Sequence, residues 1–204
     1  MSSVTTVTLA GVGGQGILLA AAILANAALA DGLDVKASEV KGMAQRGGSV
    51  IATVRFGRRV YSPVAAGADL VVATELLEGR RSLDLLPPHG AMVCSTTRVS
   101  PGSVLRGEQV YPDDMERQAA ERRLRVMLVD ADSLARRAGT ARAANVALLG
   151  AASIVLPFSL HAWQLALEGT LPAKILEVNK KAFALGRKAF ALGRNAVATQ
   201  EVPQ

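Results

Sequence analysis

One cysteine, Cys94, is all that 204 residues contain. A single thiol excludes an internal disulfide framework and cannot by itself hold an iron–sulfur cluster or a structural zinc, so any such centre belongs to another chain. Aromatic residues are almost as scarce, 3% of a chain that is 50% apolar. A core of Ala, Val, Leu and Ile suits an α/β sheet with close-packed helices, and it leaves little aromatic surface on which bases could stack. No basic leader precedes the first apolar segment, which a glycine turn interrupts, so a signal peptide is not expected and a cytoplasmic location is.

Two other classes lack support. Residues 143–167 contain no formally charged side chain, but Asn145, Ser153, Pro157, Ser159, His161 and Gln164 interrupt them. A helix broken near Pro157 and buried in a core or an interface explains this better than a membrane span. No G-x-S-x-G elbow accompanies a serine nucleophile. His89 and His161 each stand without a second ligand at helical or turn spacing, so no metal site is expected and both read as structural or surface residues. Trp163, in a helical stretch, reads as core or interface rather than as a cofactor platform.

What is present begins with charge: a net +6, largely from arginine, favours anionic partners. Length favours a single domain, taken as residues 1–196, with 197–204 a frayed tail. The chain is organised around residues 4–30, where a β-branched run is followed by Gly11, Gly13, Gly14, Gln15 and Gly16 and then by ILLAAAILANAALA. This reads as strand, tight turn and helix, the opening of a βαβ unit whose helix start presents free N–H groups to an anion. Gly11, Gly13 and Gly16 match the dinucleotide spacing G-x-G-x-x-G, which also requires an acid about 20 residues on, and Glu39 is the candidate. The competing reading is that these glycines serve only a tight strand-to-helix crossing.

DVKASEV (34–40) reads as a second strand, followed by the cationic glycine loop Lys41-Gly42-Met43-Ala44-Gln45-Arg46-Gly47-Gly48. Ser49–Phe56 is a strand that Gly57-Arg58 turns into RVYSP, which predicts a projecting hairpin with the basic loop at its base. LVVAT (70–74) suits a buried parallel strand, ELLEGRRSLDLL a short helix, and GAMVCST a strand in which Cys94 is a small buried hydrophobe. Asp113-Asp114 start a charged helix to about Arg123 whose arginines form a solvated face, LRVMLVD is a strand, and the remainder is helical. There KAFALGR occurs twice in tandem, at 181–187 and 188–194, keeping Phe183 and Phe190 on one face. An exposed tail that tolerates the duplication is the expectation.

The motifs GVGGQGILLAAAILANAA, SEVKGMAQRGGSV, VYSP, ADLVVATELLEGRR, ARAANVALLGAA and KILEVNKKAFALGRKA together resemble the gamma-type subunit of 2-oxoacid:ferredoxin oxidoreductases. The GMAQRGG form is most similar to the small subunit of the indolepyruvate, or arylpyruvate, branch. The resemblance covers most of the chain. It implies a Rossmann-like, mostly parallel sheet with flanking helices and a helical C-terminal segment. It also implies a chain inactive alone, within an enzyme that turns a 2-oxoacid and coenzyme A into an acyl-CoA and carbon dioxide. A large alpha subunit would hold thiamine diphosphate, magnesium and the 4Fe–4S clusters and pass electrons to ferredoxin. This chain agrees in lacking a cluster cysteine set and a GDG-type diphosphate motif.

A 2-oxoacid carboxylate, a diphosphate or coenzyme A needs fixed positive charge, and a charge-assisted hydrogen bond contributes about 1.5–3 kcal/mol. Arg46, among Gly42, Gly47 and Gly48, is the first candidate, Lys41 the second, and Gln15 an orienting amide beside the glycine turn. The competing role for Arg46 is a structural or intersubunit ion pair. A stand-alone NAD(P)-binding enzyme and a purely structural assembly subunit remain as alternatives.

Overall fold

The structure is a computed structural model that describes residues 4–41 and 47–197. Six strands, β1 (Thr5–Val12), β2 (Asp34–Lys41), β3 (Ser49–Gly57), β4 (Leu70–Ala73), β5 (Ala91–Ser95) and β6 (Arg125–Val129), form one sheet in the order β2-β3-β1-β4-β5-β6. The β1–β4, β4–β5 and β5–β6 pairs are parallel, whereas β3 is antiparallel to both β1 and β2. Thus β3 alone runs against the rest, and the ends of β1, β2 and β4 meet at one edge.

The helices are α1 (Ile17–Ala30), α2 (Leu76–Arg81), α3 (Gly102–Leu105), α4 (Met115–Glu121), α5 (Ala131–Ala138), α6 (Ala144–Ala152), α7 (Leu160–Thr170) and α8 (Ala173–Val197). Strand periodicity decides which face each covers. Leu70 and Val72 point into a core shared with α1, α5, α6, α7 and α8, while Val71 and Ala73 point into a second core under α2 and α4. As its unbroken apolar sequence requires, β4 is buried on both faces. Cys94 lies in the second core, fully buried, and burial, then the nearby Glu75, pushes its thiol above the usual range.

The hairpin differs from the expected one. Its arms are β2 and β3, so the basic glycine loop joins their tips rather than lying at the base of a turn into RVYSP. Both edges of β3 are occupied, by β2 and β1, so residues 59–63 cannot form a hairpin with it. They cross the outer face instead, where the Arg55 guanidinium donates to the carbonyls of Ser62 (2.6 Å) and Val64 (2.8 Å) and the Val60 N–H donates to Asp34 Oδ2 (2.7 Å).

The uncharged segment breaks at Pro157 into α6 and α7, and no helix of the described residues is long and apolar enough to cross a membrane. Trp163 is fully buried and joins Phe56, Phe158 and Phe183 in a chain of ring contacts with centroids 4.7–5.5 Å apart. The KAFALGR duplication is no exposed tail. Both copies continue α8, and Phe183 and Phe190 are buried on its inner face at the seven-residue spacing. Gly186 explains the fit: a Cβ there would overlap the Ala147 carbonyl, so α8 and α6 approach too closely for any side chain.

Candidate functional site

Strand β1 leads into α1 on one face and β4 leads into α2 on the other, so the chain leaves adjacent parallel strands in opposite directions. Such a divergence opens a crevice at the carboxyl ends of the strands, the place where doubly wound sheets bind ligands. Here it is bounded by the glycine turn, the Thr74–Leu76 bend and the start of β3.

Gly16 precedes α1 with φ 75° and ψ 31°, and a Cβ there would come within 2.5 Å of Asn145 Nδ2. That amide donates to the Gly16 carbonyl at 3.0 Å while Asn145 Oδ1 accepts from the Val146 N–H. Gln15 Oε1 accepts from the Val12 N–H (2.8 Å) and the Thr74 hydroxyl (2.6 Å), joining the end of β1 to the end of β4. Its Nε2 meets no acceptor among the described residues. Gly11 is buried inside β1, and a Cβ there would overlap the Thr74 hydroxyl. Gly11 is therefore a packing glycine, whereas Gly14 is exposed with open space above it.

The second glycine segment docks on the first. The Gly13 N–H donates to the Gly48 carbonyl (2.8 Å) and the Gly47 N–H to the Gly13 carbonyl (3.4 Å). Lys41 closes β2 opposite Val50, which is opposite Gly11 in β1. Gly42 and Arg46 lie outside the described residues. Of the expected site residues, Gly13, Gly14, Gln15, Gly16, Gly47 and Gly48 thus share one edge.

Composition and spacing did not disclose several groups that brace this edge. Glu78 in α2, nearly fully buried, accepts from the Ser49 hydroxyl and from Arg81, both at 2.6 Å, tying β3 just after the loop to α2. Glu75, fully buried at the start of α2, accepts from the N–H groups of Glu78 (2.8 Å) and Val99 (3.0 Å) and from the Tyr111 hydroxyl (2.5 Å). Burial, then the hydrogen bond to Glu75, pushes the Tyr111 phenol above its usual range. The Asn145 contact spans 129 residues and the Thr74 contact 59, separations no local pattern reports. The only signals were an amide in an uncharged run and a threonine closing an apolar one.

Beside this edge, Leu76, Met115 and Leu128 floor a cleft of about 340 Å³. Arg98 at its rim is already paired with Asp113 (2.5 Å) and lies over the Tyr111 ring at 5.3 Å. His89 and His161 are exposed, and no three His, Cys, Asp or Glu residues gather as a metal site among the described residues.

The dinucleotide arrangement does not fit. Glu39 sits in β2, with β3 between it and β1, so the row Leu9, Ala52, Glu39 places its Cα about 10 Å from β1. The fingerprint's acid lies on the strand next to the glycine turn.

The sequence profile of the family described as "Pyruvate ferredoxin/flavodoxin oxidoreductase" matches residues 6–189. A relative from Thermococcus kodakarensis, "Indolepyruvate oxidoreductase subunit IorB", is 39% identical over 187 residues, covering 88% of this chain and 93% of that protein. The fold is shared with the keto/oxoacid ferredoxin oxidoreductase gamma subunit from Geobacter sulfurreducens (TM-score 0.68, 23% identity, 92% of this chain and 99% of that one). It also matches part of the 2-oxoglutarate:ferredoxin oxidoreductase from Magnetococcus marinus (TM-score 0.74, 20% identity, 94% of this chain and 32% of that one). With a profile match over nearly its whole length and a relative 39% identical over 88% of it, the chain belongs to the pyruvate ferredoxin/flavodoxin oxidoreductase family.

Proposed function

We propose that this chain is the small, cluster-free subunit of a cytoplasmic indolepyruvate (arylpyruvate):ferredoxin oxidoreductase. A large alpha subunit carries thiamine diphosphate, magnesium and 4Fe–4S clusters, and the assembly converts an aryl 2-oxoacid and coenzyme A to an aryl-acetyl-CoA and carbon dioxide, reducing ferredoxin. The thiamine group, when bound in that subunit, supplies the carbon nucleophile for decarboxylation. The 39% identity to a subunit named for indolepyruvate supports the branch.

The observation that carries the reading for this chain is the docking of Gly47-Gly48 onto Gly13 at the switch-point crevice. Two glycine-shaped backbones stand side by side there, Gly14 leaves room for close approach, and Gln15 Nε2 adds a donor. Arg46, next in sequence to the anchored Gly47, and Lys41, at the end of β2, supply positive charge for a 2-oxoacid carboxylate or the coenzyme A diphosphate. The role of these residues is to bind and orient the anion; the electrons travel through the partner.

Co-expression with the large subunit tests this. The purified complex should reduce ferredoxin with indolepyruvate and coenzyme A, and the chain alone should be colourless and inactive. Arg46→Ala should raise the KM for the 2-oxoacid or for coenzyme A in an intact complex. Unchanged kinetics would remove the anion-binding assignment and favour a purely structural assembly subunit. Nicotinamide binding by the isolated chain would instead favour a stand-alone NAD(P) enzyme.

A further inference from the structure

Glu78 is a carboxylate in a costly place. The residue is only 4% exposed, while the cation paired with it, Arg81, keeps 54% of its side chain in water. A charge taken out of water carries a desolvation penalty that one half-exposed partner offsets only in part. What the charge adds is a strong, directed bond. The Ser49 hydroxyl donates to Glu78 Oε2 at 2.6 Å, the length of a charge-assisted O–H···O contact. The acceptor is itself held still, because the Glu78 N–H donates to Glu75 Oε2 and the Glu78 carbonyl accepts from the Ser82 hydroxyl, both at 2.8 Å. Helix α2 also lies so close to the sheet that a Cβ on Gly79 would come within 2.7 Å of Cys94 Sγ.

Ser49 is where such an anchor acts on the glycine edge. Side chains alternate along β3, and Ala52, Val54 and Phe56 enter the core shared with α1, so Ser49 faces α2. Ser49 pairs with Val12 of β1, whereas β2 extends only to Lys41, opposite Val50, so among the described residues a strand flanks Ser49 on one side. Just before it stand Gly47, at φ 73°, and Gly48. Neither has a side chain to pack, and glycine loses the most freedom on ordering, so their bonds to Gly13 depend on how firmly the next residue is fixed. We infer that Glu78, acting through Ser49, is the positioning residue that seats Gly47-Gly48 on Gly13 and thereby sets the affinity of this edge for its anion. The inference rests on the anion-binding reading of the glycine edge given above. Gln15 ties the first glycine segment to Thr74 at the end of β4, and Glu78 ties the second to α2, which follows β4. Both walls of the crevice are thus referred to one connection.

Variants of the full chain, assembled with the large subunit, test this. Ser49 is half-buried, so its variants disturb folding less than changes at Glu78. Ser49→Ala should raise the KM for indolepyruvate or coenzyme A about tenfold, as the loss of one charge-assisted hydrogen bond does, and leave kcat unchanged. Ser49→Thr keeps the hydroxyl and should restore wild-type values. Glu78→Ala should match Ser49→Ala, and the double variant should be no worse than either single one. Amide hydrogen exchange of the full chain needs no turnover. The Gly13 N–H, donor to the Gly48 carbonyl, should exchange faster in Ser49→Ala and at the wild-type rate in Ser49→Thr. An unchanged KM for Ser49→Ala in an active complex, an equal rise for Ser49→Thr, or a fall in kcat alone would overturn the inference, as would unchanged exchange at Gly13. A wild-type complex without turnover would remove the function proposed above, while exchange at Gly13 would still decide whether Glu78 seats the glycines.

Discussion

Gln15 Oε1 accepts the Thr74 hydroxyl at 2.6 Å across the gap between β1 and β4. The same oxygen accepts the Val12 N–H, so one amide carbonyl closes the strand end and spans the crevice. Gln15→Ala should destabilise the chain by about 1–3 kcal/mol, because it leaves the Val12 N–H without its acceptor and the Thr74 hydroxyl with only the Ala10 carbonyl at 3.5 Å. Gln15→Glu keeps an acceptor oxygen and should retain stability while placing negative charge beside the proposed anion site and raising the KM of the complex. Urea denaturation and steady-state kinetics separate the two effects.

Gly16 and Asn145 form a second coupled pair. Gly16→Ala places a side chain at φ 75°, costing about 1–2 kcal/mol, and drives its Cβ into Asn145. Asn145→Ala removes both the obstacle and the donor to the Gly16 carbonyl. In a double-mutant cycle the two losses should therefore sum to more than the loss in the double variant. Additive losses would show that the contact does not govern the turn.

Two helix glycines should respond with opposite signs. Gly186→Ala puts a methyl group against the Ala147 carbonyl, between two packed helices, and should destabilise by about 1–3 kcal/mol. Gly169→Ala, near the exposed end of α7 with nothing within 4 Å, should stabilise by about 0.5–1 kcal/mol. Denaturation midpoints of the two variants check the contrast.

Asp114 makes the acid limb of stability predictable. The Arg80 guanidinium first, then Gln118 and Arg117, hold its carboxyl at about 2 against an ordinary 3.8. Because the folded value is the lower one, this contribution is complete above the unfolded value and is lost as pH falls from about 4 towards 2. Asp114→Asn should lower stability at neutral pH and flatten the profile in that window, as followed by denaturation midpoints against pH.

The strand and helix pattern was legible because burial writes a local period into the chain. The unbroken LVVA of β4, the strand–glycine–helix opening, Cys94 as a core residue and Trp163 in an apolar core all follow from neighbours in sequence. The second arm of the hairpin was not legible. RVYSP has strand composition, but β3 had no free edge to offer it, and edge occupancy is a property of the whole sheet. The KAFALGR repeat likewise looked dispensable until the close approach of α8 to α6 showed why its first glycine is there.

Apart from RVYSP, the sequence by itself determined which segments are strands or helices, and it also determined which family motifs occur in what order, since these rest on spacing within a few residues. Only the tertiary structure decided that Gly13 meets Gly48, that Gln15 reaches Thr74 and that Asn145 supports Gly16. Those meetings depend on strand order and register, which are set by the competition of distant segments for the same edges and for the same buried space.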